Sequence, residues 1–586
     1  MHTHTKIICT IGPAVNSLDK ITQLIEVGMN VARLNFSHGT HEEHLKVINH
    51  IKEARKALKK PVAIILDTKG PEIRLGNIKN NELFLPTGHR WFLTKETLEG
   101  DLEKASITPG DVLTGIEIGT TILFDDGYIS AQVIETRSDG LLVEITNGGI
   151  LKSKKGVNIP NSNVNLPAVT EQDIADIIFG CEQDVDIIAA SFVRSAEHVL
   201  EIKRLLASQK REDILVMAKI ENREGVKNFD SIVQVADGIM IARGDLGVEV
   251  PLSQVPKLQK MMIRKSYLAG KPAITATQML ESMINNPRPT RAEVSDVANA
   301  IYDSTSAVML SGETAVGKYP LETVRVMKSI IKESEEDFPY RAFFQNHAEL
   351  IYHDVTSAVT LATVKAAYNS HATAIFTFTS RGSTARLLSR LRPNMPIVAM
   401  TPNEKCYHQL AINWGVIPLL GGNEPTLPAA FASISKRALE ESIVSYGDLV
   451  VLTAGSPFGV SGTTNMMLME NIGDVLVRAY KGIGPRVHGN VAVVLSPEGQ
   501  PPYIARGKLL VIPTCNPSYL PIIKEAAGII LQNHIDDTAS EEYAMEVAEN
   551  LHKTLLIRAD AACKILKEGQ LVTIDPEKAL VYNRIL

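Results

Sequence analysis

Cysteine is scarce in this 586-residue sequence, and its spacing excludes two kinds of site. The five cysteines, Cys9, Cys181, Cys406, Cys515 and Cys563, are scattered and form no CxxC pair. Zinc sites and disulfide frameworks depend on cysteines at short, regular spacings, so we expect neither. Scattered single cysteines are typical of a reducing compartment and favour a cytoplasmic location.

The sequence also lacks an excess of basic charge, a long apolar run and a secretory leader. Lysine and arginine number 60 against 66 aspartates and glutamates, which gives a net charge of −6 and no indication of a nucleic-acid-binding surface. No apolar stretch reaches the ~18 residues that predict a membrane-spanning helix. Residues 1–6 lead into a strand-like run without the apolar core of a signal peptide. We therefore expect a cytoplasmic protein without nucleic-acid or membrane partners.

The 586-residue length of the chain alone predicts three or four domains. Up to about residue 340, the sequence repeats one pattern. A short β-branched run ends in a polar residue, and an amphipathic helical pattern follows. Strands that alternate with helices predict a parallel sheet, and eight such units predict a closed (β/α)₈ TIM barrel, an α/β fold. The runs cover residues 7–10, 31–35, 62–67, 187–191, 214–221, 239–243, 273–277 and 307–311.

Polar side chains stand at the ends of these strands, where a barrel of this kind has its active site. Lys219, Glu221 and Asp245 combine an ammonium group with two carboxylates, a set suited to metal-assisted phosphoryl or enolate chemistry. A salt bridge at two strand ends is the plain alternative. The number of polar groups at one mouth argues against it, although we expect Ser191 and Glu313 only to orient loops. The other strand-end groups are Thr10, Arg33, Asn35, Asp67, Thr68, Arg243 and Thr277.

Residues 71–167 interrupt the repeat with short strand and turn patterns, and residues 1–70 and 168–342 form the barrel around them. The insertion lies in the loop after the third strand, so we expect a small β domain above the barrel mouth. Such a domain can act as a lid that excludes water.

Two further α/β segments follow the barrel, at residues 343–476 and 485–586. In the first, a strand-to-helix turn rich in hydroxyl groups is suited to bind an anion. This turn consists of Thr379, Ser380, Arg381, Gly382, Ser383 and Thr384. Together with the glycine-rich loop 455–464, it would clasp a phosphorylated effector, although the spacing alone favours two ordinary surface turns.

Eight sequence motifs lie at or near the strand ends, at residues 10–13, 32–39, 66–74, 219–222, 242–247, 275–280, 285–293 and 311–315. They closely resemble the motifs of the pyruvate kinase family, and the resemblance covers about residues 1–475. Members of that family transfer the phosphoryl group of phosphoenolpyruvate to ADP in the last step of glycolysis, giving pyruvate and ATP. The resemblance implies a cytoplasmic, allosterically regulated transferase that uses Mg²⁺ (or Mn²⁺) and K⁺ and is typically a homotetramer. AMP or a sugar phosphate is the expected kind of effector.

The resemblance also implies roles for the strand-end residues in binding the substrate and Mg²⁺. Glu221 and Asp245 would ligate Mg²⁺, and backbone N–H groups around Gly244 would bind the substrate carboxylate. Lys219 would contact the transferring phosphoryl group and the enolate oxygen, while Arg33 would hold the phosphate. Thr277 would help to deliver a proton to the enolate carbon through water, because a hydroxyl group is a poor acid.

A second group of residues is implied to bind K⁺ and the nucleotide. Asn35, Ser37, Asp67 and the Thr68 carbonyl form an all-oxygen set for K⁺. The nucleotide phosphates would be held by Arg74 and Lys155 from the lid, together with Asn35. Glu72 stands where the family has glutamate in K⁺-dependent members and lysine in independent ones, so K⁺ activation is implied.

Three departures limit the resemblance. Ser304 and Ser306 lie in Asp-Ser-Thr-Ser, where the family usually has Asp-Gly-Thr-Asp. Arg381 takes the place of a serine in the effector turn. The tail resembles the swivelling phosphohistidine domain of phosphoenolpyruvate-using enzymes, but residues 539–544 read Ala-Ser-Glu-Glu-Tyr-Ala without the phosphoacceptor histidine. We expect a structural or regulatory tail.

Two other functions are alternatives. One is a catalytically silent, effector-binding relative, which usually loses a residue such as Lys219, Glu221 or Asp245. The other is a barrel lyase that acts on a pyruvate enolate, which has comparable carboxylates but no need for the lid, Arg74 or the K⁺ set.

Overall fold

The computed structural model describes residues 3–160, 166–348, 354–456, 462, 464–583 and 585. Contact density divides the chain into two compact units. The first comprises Met1–Val364, Thr377–Asn423 and Thr453–Met466, and the second comprises Lys365–Phe376, Glu424–Leu452 and Met467–Leu586. The finer division into four segments stays a prediction.

Eight parallel strands close into a barrel in the first unit, which confirms the predicted fold class. Each strand pairs with the strands before and after it, and the eighth pairs with the first to close the ring. Aliphatic and other small apolar side chains fill the interior, which is why the strands read as nearly continuous apolar runs. In order, the barrel strands are Lys6–Thr10, Val31–Asn35, Ala63–Asp67, Ile187–Ala190, Leu215–Ile220, Gly238–Ala242, Ala273–Ala276 and Ala307–Leu310.

Helices surround this barrel, and several of them begin at side-chain caps. Thr170 and Asp173 form a capping box, which the spacing of these two residues in the sequence predicts, and Thr40 and Thr290 form two more. Each side-chain cap satisfies backbone N–H groups that the first turn leaves without partners. The α-helices up to residue 348 are Leu18–Val27, His41–Leu58, Glu171–Glu182, Ala196–Ser208, Arg223–Lys227, Phe229–Val235, Arg243–Glu249, Val255–Leu268, Arg291–Tyr302, Gly312–Ala315, Pro320–Glu336 and Tyr340–Ala348.

The insertion after the third barrel strand is itself a small closed β barrel. Trp91 and Phe124 lie in its core with an edge-to-face ring contact of 5.7 Å. Its strands are Ile73–Leu75, Arg90–Thr94, Lys104–Thr108, Thr121–Phe124, Ile129–Thr136, Gly140–Asn147 and Gly156–Asn158, and Glu82–Leu85 pairs separately with Gly149–Lys152.

The segment after the barrel contains a five-stranded sheet. In sheet order its strands are Val416–Leu420, Ile397–Thr401, Ala374–Phe378, Leu449–Gly455 and Thr464–Asn471. The helices of this segment are Val355–Ser370, Ser383–Ser389, Glu404–Gln409 and Leu427–Glu440.

The tail, within the second unit, contains an eight-stranded sheet with a parallel centre. In sheet order its strands are Val475–Arg478, Leu580–Tyr582, Leu571–Asp575, Val487–Val493, Leu509–Ile512, Gly528–Leu531, Thr554–Ile557 and Lys481–Ile483. Its helices are Leu520–Glu525, Thr538–Asn550 and Ala562–Ile565. Among the helices described for the whole chain, none is both long and apolar enough to cross a membrane.

Candidate active site

Asp67 is the centre of the polar network at the barrel mouth. It ends the third strand and is fully buried. Its Oδ2 accepts a 2.5 Å hydrogen bond from Arg33 Nε, and its Oδ1 lies 3.0 Å from Lys219 Nζ. Although burial alone would raise the pKa of Asp67, the charges of Arg33 and Lys219 hold it below its ordinary value. Asp67 is therefore an anion that orients two cations.

Lys219 lies between two carboxylates and a hydroxyl group. Its Nζ is 3.0 Å from Asp67 Oδ1, 3.0 Å from Glu221 Oε1 and 2.7 Å from Ser191 Oγ. Burial would lower the pKa of Lys219, but Asp67 and Glu221 together raise it above its ordinary value. The ammonium group therefore stays charged at the mouth, where a developing negative charge would meet it.

Glu221 and Asp245 form the predicted pair of carboxylates. They follow the fifth and sixth barrel strands, and the two carboxyl groups lie within hydrogen-bonding range of each other. Burial raises the pKa of Glu221 to about 7, repulsion from Asp245 acts in the same direction, and Lys219 opposes both. Burial also raises the pKa of Asp245. A buried and a half-buried carboxylate this close favour a shared proton or a cation between them.

Thr277 lies beside the start of the short helix Arg243–Glu249. Its backbone φ of 68° is in the left-handed region, which is uncommon for a β-branched residue and typical of strained functional positions. The Gly244 N–H donates a 2.8 Å hydrogen bond to Thr277 Oγ1. Arg243 Nη2 donates to the Thr277 carbonyl at 2.8 Å, and Arg243 Nη1 contacts Asp296 Oδ1 at 2.7 Å. Arg243 thus fixes the turn that carries Thr277.

The four residues predicted to bind K⁺ lie on neighbouring strand ends. Asn35 ends the second strand beside Asp67, its register partner on the third. Asn35 Oδ1 accepts the Ser37 N–H at 3.2 Å, so a tight turn joins the Asn35 side chain to the Ser37 backbone. The Thr68 carbonyl accepts a 2.5 Å hydrogen bond from Ser191 Oγ. The donors are all oxygens, which is the chemistry that a hard monovalent cation requires.

Ser191 contributes more than we expected from the sequence. We expected it only to orient a loop, but its Oγ contacts Lys219 Nζ at 2.7 Å and Asp67 Oδ1 at 3.3 Å. The position of Ser191 at the end of the fourth strand was the sequence signal that could have assigned it to the active site. Glu313 does orient loops, because its carboxylate accepts the N–H groups of Leu280 and Ser311.

A cleft of about 1460 Å³ lies between the lid and the barrel mouth. Asp245 lines it from the barrel, while Arg74 and Lys155 line it from the lid. In this structure Arg74 Nε contacts Glu72 Oε2 at 2.6 Å, and Lys155 Nζ contacts Asp125 Oδ1 at 2.7 Å. Both cations are partly exposed on these partners, so an anionic ligand in the cleft would compete for them.

The predicted effector turn is held in place by local hydrogen bonds. Gly382 has a φ of 79° and donates its N–H to Thr379 Oγ1 at 2.8 Å, and the helix Ser383–Ser389 begins there. Thr384 Oγ1 hydrogen-bonds Thr464 Oγ1 at 2.8 Å, which joins this turn to the second predicted loop. The side chain of Arg381 is exposed. Residues 457–461 and 463 of the second loop lie outside the described residues.

In the tail, Glu541 takes the place where the resemblance would put a histidine. It lies in the first turn of the helix Thr538–Asn550. Arg558 binds it through two hydrogen bonds, of 2.8 and 3.0 Å, and Asn533 Nδ2 adds a third at 3.2 Å. Arg558 also stacks over the Tyr480 ring at 4.4 Å. The carboxylate is thus fully engaged in a structural pair.

Comparisons with known proteins agree with this geometry. Residues 2–324 match the family model "Pyruvate kinase, barrel domain", and residues 357–469 match "Pyruvate kinase, alpha/beta domain". The chain is 43% identical to a pyruvate kinase of Geobacillus stearothermophilus, over 100% of this chain and 99% of the relative. It is 42% identical to pyruvate kinases of Bacillus licheniformis and Staphylococcus aureus (strain USA300), in each case over 99% of this chain and 98% of the relative.

Proposed function

Because this chain belongs to the pyruvate kinase family, it transfers the phosphoryl group of phosphoenolpyruvate to ADP, and we propose that the barrel mouth described above carries out this reaction. The observation that supports this assignment best is the position of Lys219, 3.0 Å from both Asp67 and Glu221, at the same mouth as Asp245, which lines the cleft under the lid. Phosphoryl transfer depends mainly on positioning and charge stabilisation, and a fixed cation between carboxylates supplies both.

Glu221 and Asp245 fit a divalent cation. The buried carboxylate of Glu221 and the half-buried one of Asp245 are adjacent, and desolvation raises the pKa of both, so a hard cation bound by oxygen would relieve their repulsion. Mg²⁺ (or Mn²⁺), when bound, would neutralise charge on the substrate carboxylate and phosphate. The two carboxylates of this chain would hold the cation on one side and leave its other side open to the substrate.

Arg33, Lys219 and Thr277 would act on the substrate directly. Asp67 orients the Arg33 guanidinium, which would hold the phosphate through charge-assisted hydrogen bonds. Lys219 would stabilise the transferring phosphoryl group and the enolate oxygen. Thr277 Oγ1, held by the Gly244 N–H, would position a water molecule that protonates the enolate carbon. The backbone N–H groups near Gly244 and Asp245 would bind the substrate carboxylate.

Asn35, Ser37, Asp67 and the Thr68 carbonyl would form a K⁺ site. The set fits because all four donors are oxygens on neighbouring strand ends. Since Asp67 also contacts Lys219, a K⁺ ion bound to Asp67 would change the electrostatic potential at the catalytic lysine. Glu72 supports the proposal, because it leaves the cleft without the ammonium group that a lysine would place there.

Arg74 and Lys155, with Asn35, would bind the nucleotide phosphates from the lid side of the cleft. Closure of the lid would exclude water from the transfer. The hydrogen bond of 2.9 Å from Asn158 in the lid to Glu249 in the barrel supports a lid that rests on the mouth.

Regulation and assembly belong to the same proposal. The turn Thr379, Ser380, Arg381, Gly382, Ser383 and Thr384 would bind a phosphorylated effector such as AMP or a sugar phosphate. The tail would be a swivelling-type domain without phosphotransfer activity, as the Glu541–Arg558 pair supports. We further propose a homotetramer in the cytoplasm. The location is supported by five cysteines that are all free thiols.

A coupled assay of pyruvate formation tests the proposed site and separates it from the two alternatives. Pyruvate formation that requires phosphoenolpyruvate, ADP, Mg²⁺ and K⁺ is expected. A silent relative would bind effector without turnover, and a lyase would form pyruvate from a larger acid without ADP. Retention of a labelled phosphohistidine in the tail after incubation with phosphoenolpyruvate would contradict the proposal for that domain.

A further inference from the structure

A small recess lies at the base of the barrel, at the opposite end from the active site. Lys271 and Ser306 immediately precede the seventh and eighth barrel strands. With Arg386, Arg390 and Arg392, they line a recess of about 10 Å³, enough for a single atom or one water molecule. Four of these five side chains are cationic, so the recess has an unusual concentration of positive charge.

Arg392 is the most deeply buried of these cations, with 2% of its surface exposed. Its Nη2 donates to the Ser304 carbonyl at 2.8 Å and to Ser306 Oγ at 3.1 Å, and its Nη1 donates to the Ser389 carbonyl at 2.7 Å. Its guanidinium also lies 4.8 Å from the centre of the Trp414 ring. These partners are all neutral, so none of them balances the charge.

Two observations show that the charge needs a partner. Arg392 Nε is buried and has no hydrogen-bond acceptor within the part of the chain that the structure describes. Within the same residues, no carboxylate forms an ion pair with Arg392 or Lys271. Asp237 acts on the charges of Lys271 and Arg386 from a longer distance, whereas the groups that act on the charge of Arg392 are the phenols of Tyr267 and Tyr340. Burial lowers the pKa of Arg392 to about 9, so the guanidinium is still charged at neutral pH.

Ser306 explains why such a partner is missing. In the sequence pattern that this stretch resembles, an aspartate occupies this position, whereas Ser306 offers only a hydroxyl group 3.1 Å from Arg392 Nη2. A serine carries a hydroxyl group where an aspartate carries a carboxylate, so its side chain is smaller by one carbon and one oxygen atom. The substitution therefore leaves both a space and an unbalanced positive charge at one place, and a buried unpaired charge is costly.

We propose that this recess binds a monoatomic anion, a halide such as chloride, which takes the place of the missing carboxylate beside Arg392, Lys271 and Ser306. The small volume excludes phosphate and larger anions. The site lies at the amino-terminal ends of the strands, the face of such barrels that serves stability rather than catalysis. Halide binding should therefore stabilise the fold and leave turnover nearly unchanged.

Diffraction from crystals of the full chain in sodium bromide tests the binding directly. An anomalous peak between Arg392 Nε and Ser306 is expected. Density without anomalous signal there would identify a water molecule and overturn the proposal.

Thermal unfolding gives a second test in solution, with chloride compared with gluconate at equal ionic strength and constant K⁺. Chloride should raise Tm saturably by at least about 2 °C, since a ligand of the native state stabilises by mass action. Ser306→Asp should raise Tm in gluconate and abolish the chloride response, because it supplies the carboxylate covalently. Ser306→Ala, which keeps the recess open and uncharged, should retain the response. An undiminished chloride response in Ser306→Asp would overturn the assignment of the halide site. If Ser306→Asp does not fold, the bromide diffraction experiment on the unaltered chain decides between a halide and a water molecule.

Discussion

Lys219→Met is the substitution that tests the proposed chemistry most directly. Methionine keeps an unbranched side chain of similar length but removes the charge that lies 3.0 Å from Asp67 Oδ1 and 3.0 Å from Glu221 Oε1. The proposed Mg²⁺ ligands Glu221 and Asp245 remain, as does Arg33, so these groups proposed to hold the ground-state substrate are unchanged. The variant should therefore lose transition-state stabilisation and little else.

The expected loss follows from the two contacts proposed for Lys219. Removing one preorganised donor from a site where negative charge develops costs about 2.7–4 kcal/mol. Lys219 would contact both the transferring phosphoryl group and the enolate oxygen, so its removal should cost about 5–8 kcal/mol, or about 10⁴–10⁶-fold in kcat. The KM for phosphoenolpyruvate should change by less than about tenfold, since a transition-state contact affects kcat rather than ground-state binding.

Steady-state kinetics and calorimetry check this prediction together. Pyruvate formation gives kcat, and titration of phosphoenolpyruvate in the presence of Mg²⁺ and the absence of ADP gives ground-state binding. Saturating Mg²⁺ and pH 8 are needed, because removing Lys219 would raise the pKa of Glu221 further above about 7. A loss of kcat below about 100-fold, less than one such donor is worth, would refute the role given to Lys219.

A matched control separates chemistry from folding. Lys265→Met removes a lysine of the barrel helix Val255–Leu268, where it pairs with Asp230 at 2.5 Å on the surface. Its kinetics should match those of the unaltered chain. Lys219→Met leaves Asp67 paired with Arg33, so its unfolding transition should remain cooperative. An unfolded variant would show a loss of binding together with the loss of turnover.

Three further predictions concern the cation, the backbone and pH. Glu72→Lys should make turnover nearly independent of K⁺, because the lysine ammonium group would replace the cation. Initial rates with and without K⁺ test this prediction, and an unchanged K⁺ requirement in the variant would refute it. Ser304 has a φ of 71°, in the left-handed region that glycine adopts without strain, so Ser304→Gly should stabilise the fold by about 0.5–1 kcal/mol. Thermal unfolding tests this prediction, and a lower Tm in the variant would contradict it. His408 accepts the Val62 N–H at 3.3 Å, and burial lowers the pKa of His408 in the folded chain to about 3. The same histidine has an ordinary pKa in the unfolded chain, so below about pH 6.5 the unfolded chain takes up a proton that the folded chain does not. The free energy of unfolding should therefore be about 2 kcal/mol lower at pH 5 than above pH 6.5. Denaturant titrations at several pH values should show that His408→Gln removes this part of the pH dependence, and an equal pH dependence in the variant would contradict the prediction.

The barrel could be predicted because its signal is local and repeated. Each β-branched run predicts a strand, and the polar residue that ends it marks the mouth, so Lys219, Glu221 and Asp67 could be assigned to one site before any distance was known. The capping box at Thr170 could be predicted for the same reason, since its two partners are three residues apart. The boundaries of the strands differ from the prediction by at most two residues.

Ser191 shows where sequence reasoning stopped. Its hydroxyl group contacts Lys219 on the next strand, and the choice between an orienting residue and a partner of the lysine depends on a distance of 2.7 Å. The strand-end pattern places both residues at the mouth but cannot say which side chains touch. Contacts of this kind depend on strand register and on side-chain rotamers, which no local pattern specifies.

The sequence by itself determined the α/β class, the eightfold repeat and the set of charged groups at the barrel mouth, because periodicity and strand-end chemistry are properties of neighbouring residues. Only the tertiary structure decided that Asp67 joins Arg33 to Lys219, and that Arg392 lies beside Ser306 without a carboxylate. Ser306 and Arg392 are 86 positions apart, and their charge balance exists only once the chain has folded. The physical reason is that burial and pairing are properties of the folded molecule, and they determine which charges are balanced and which require a ligand.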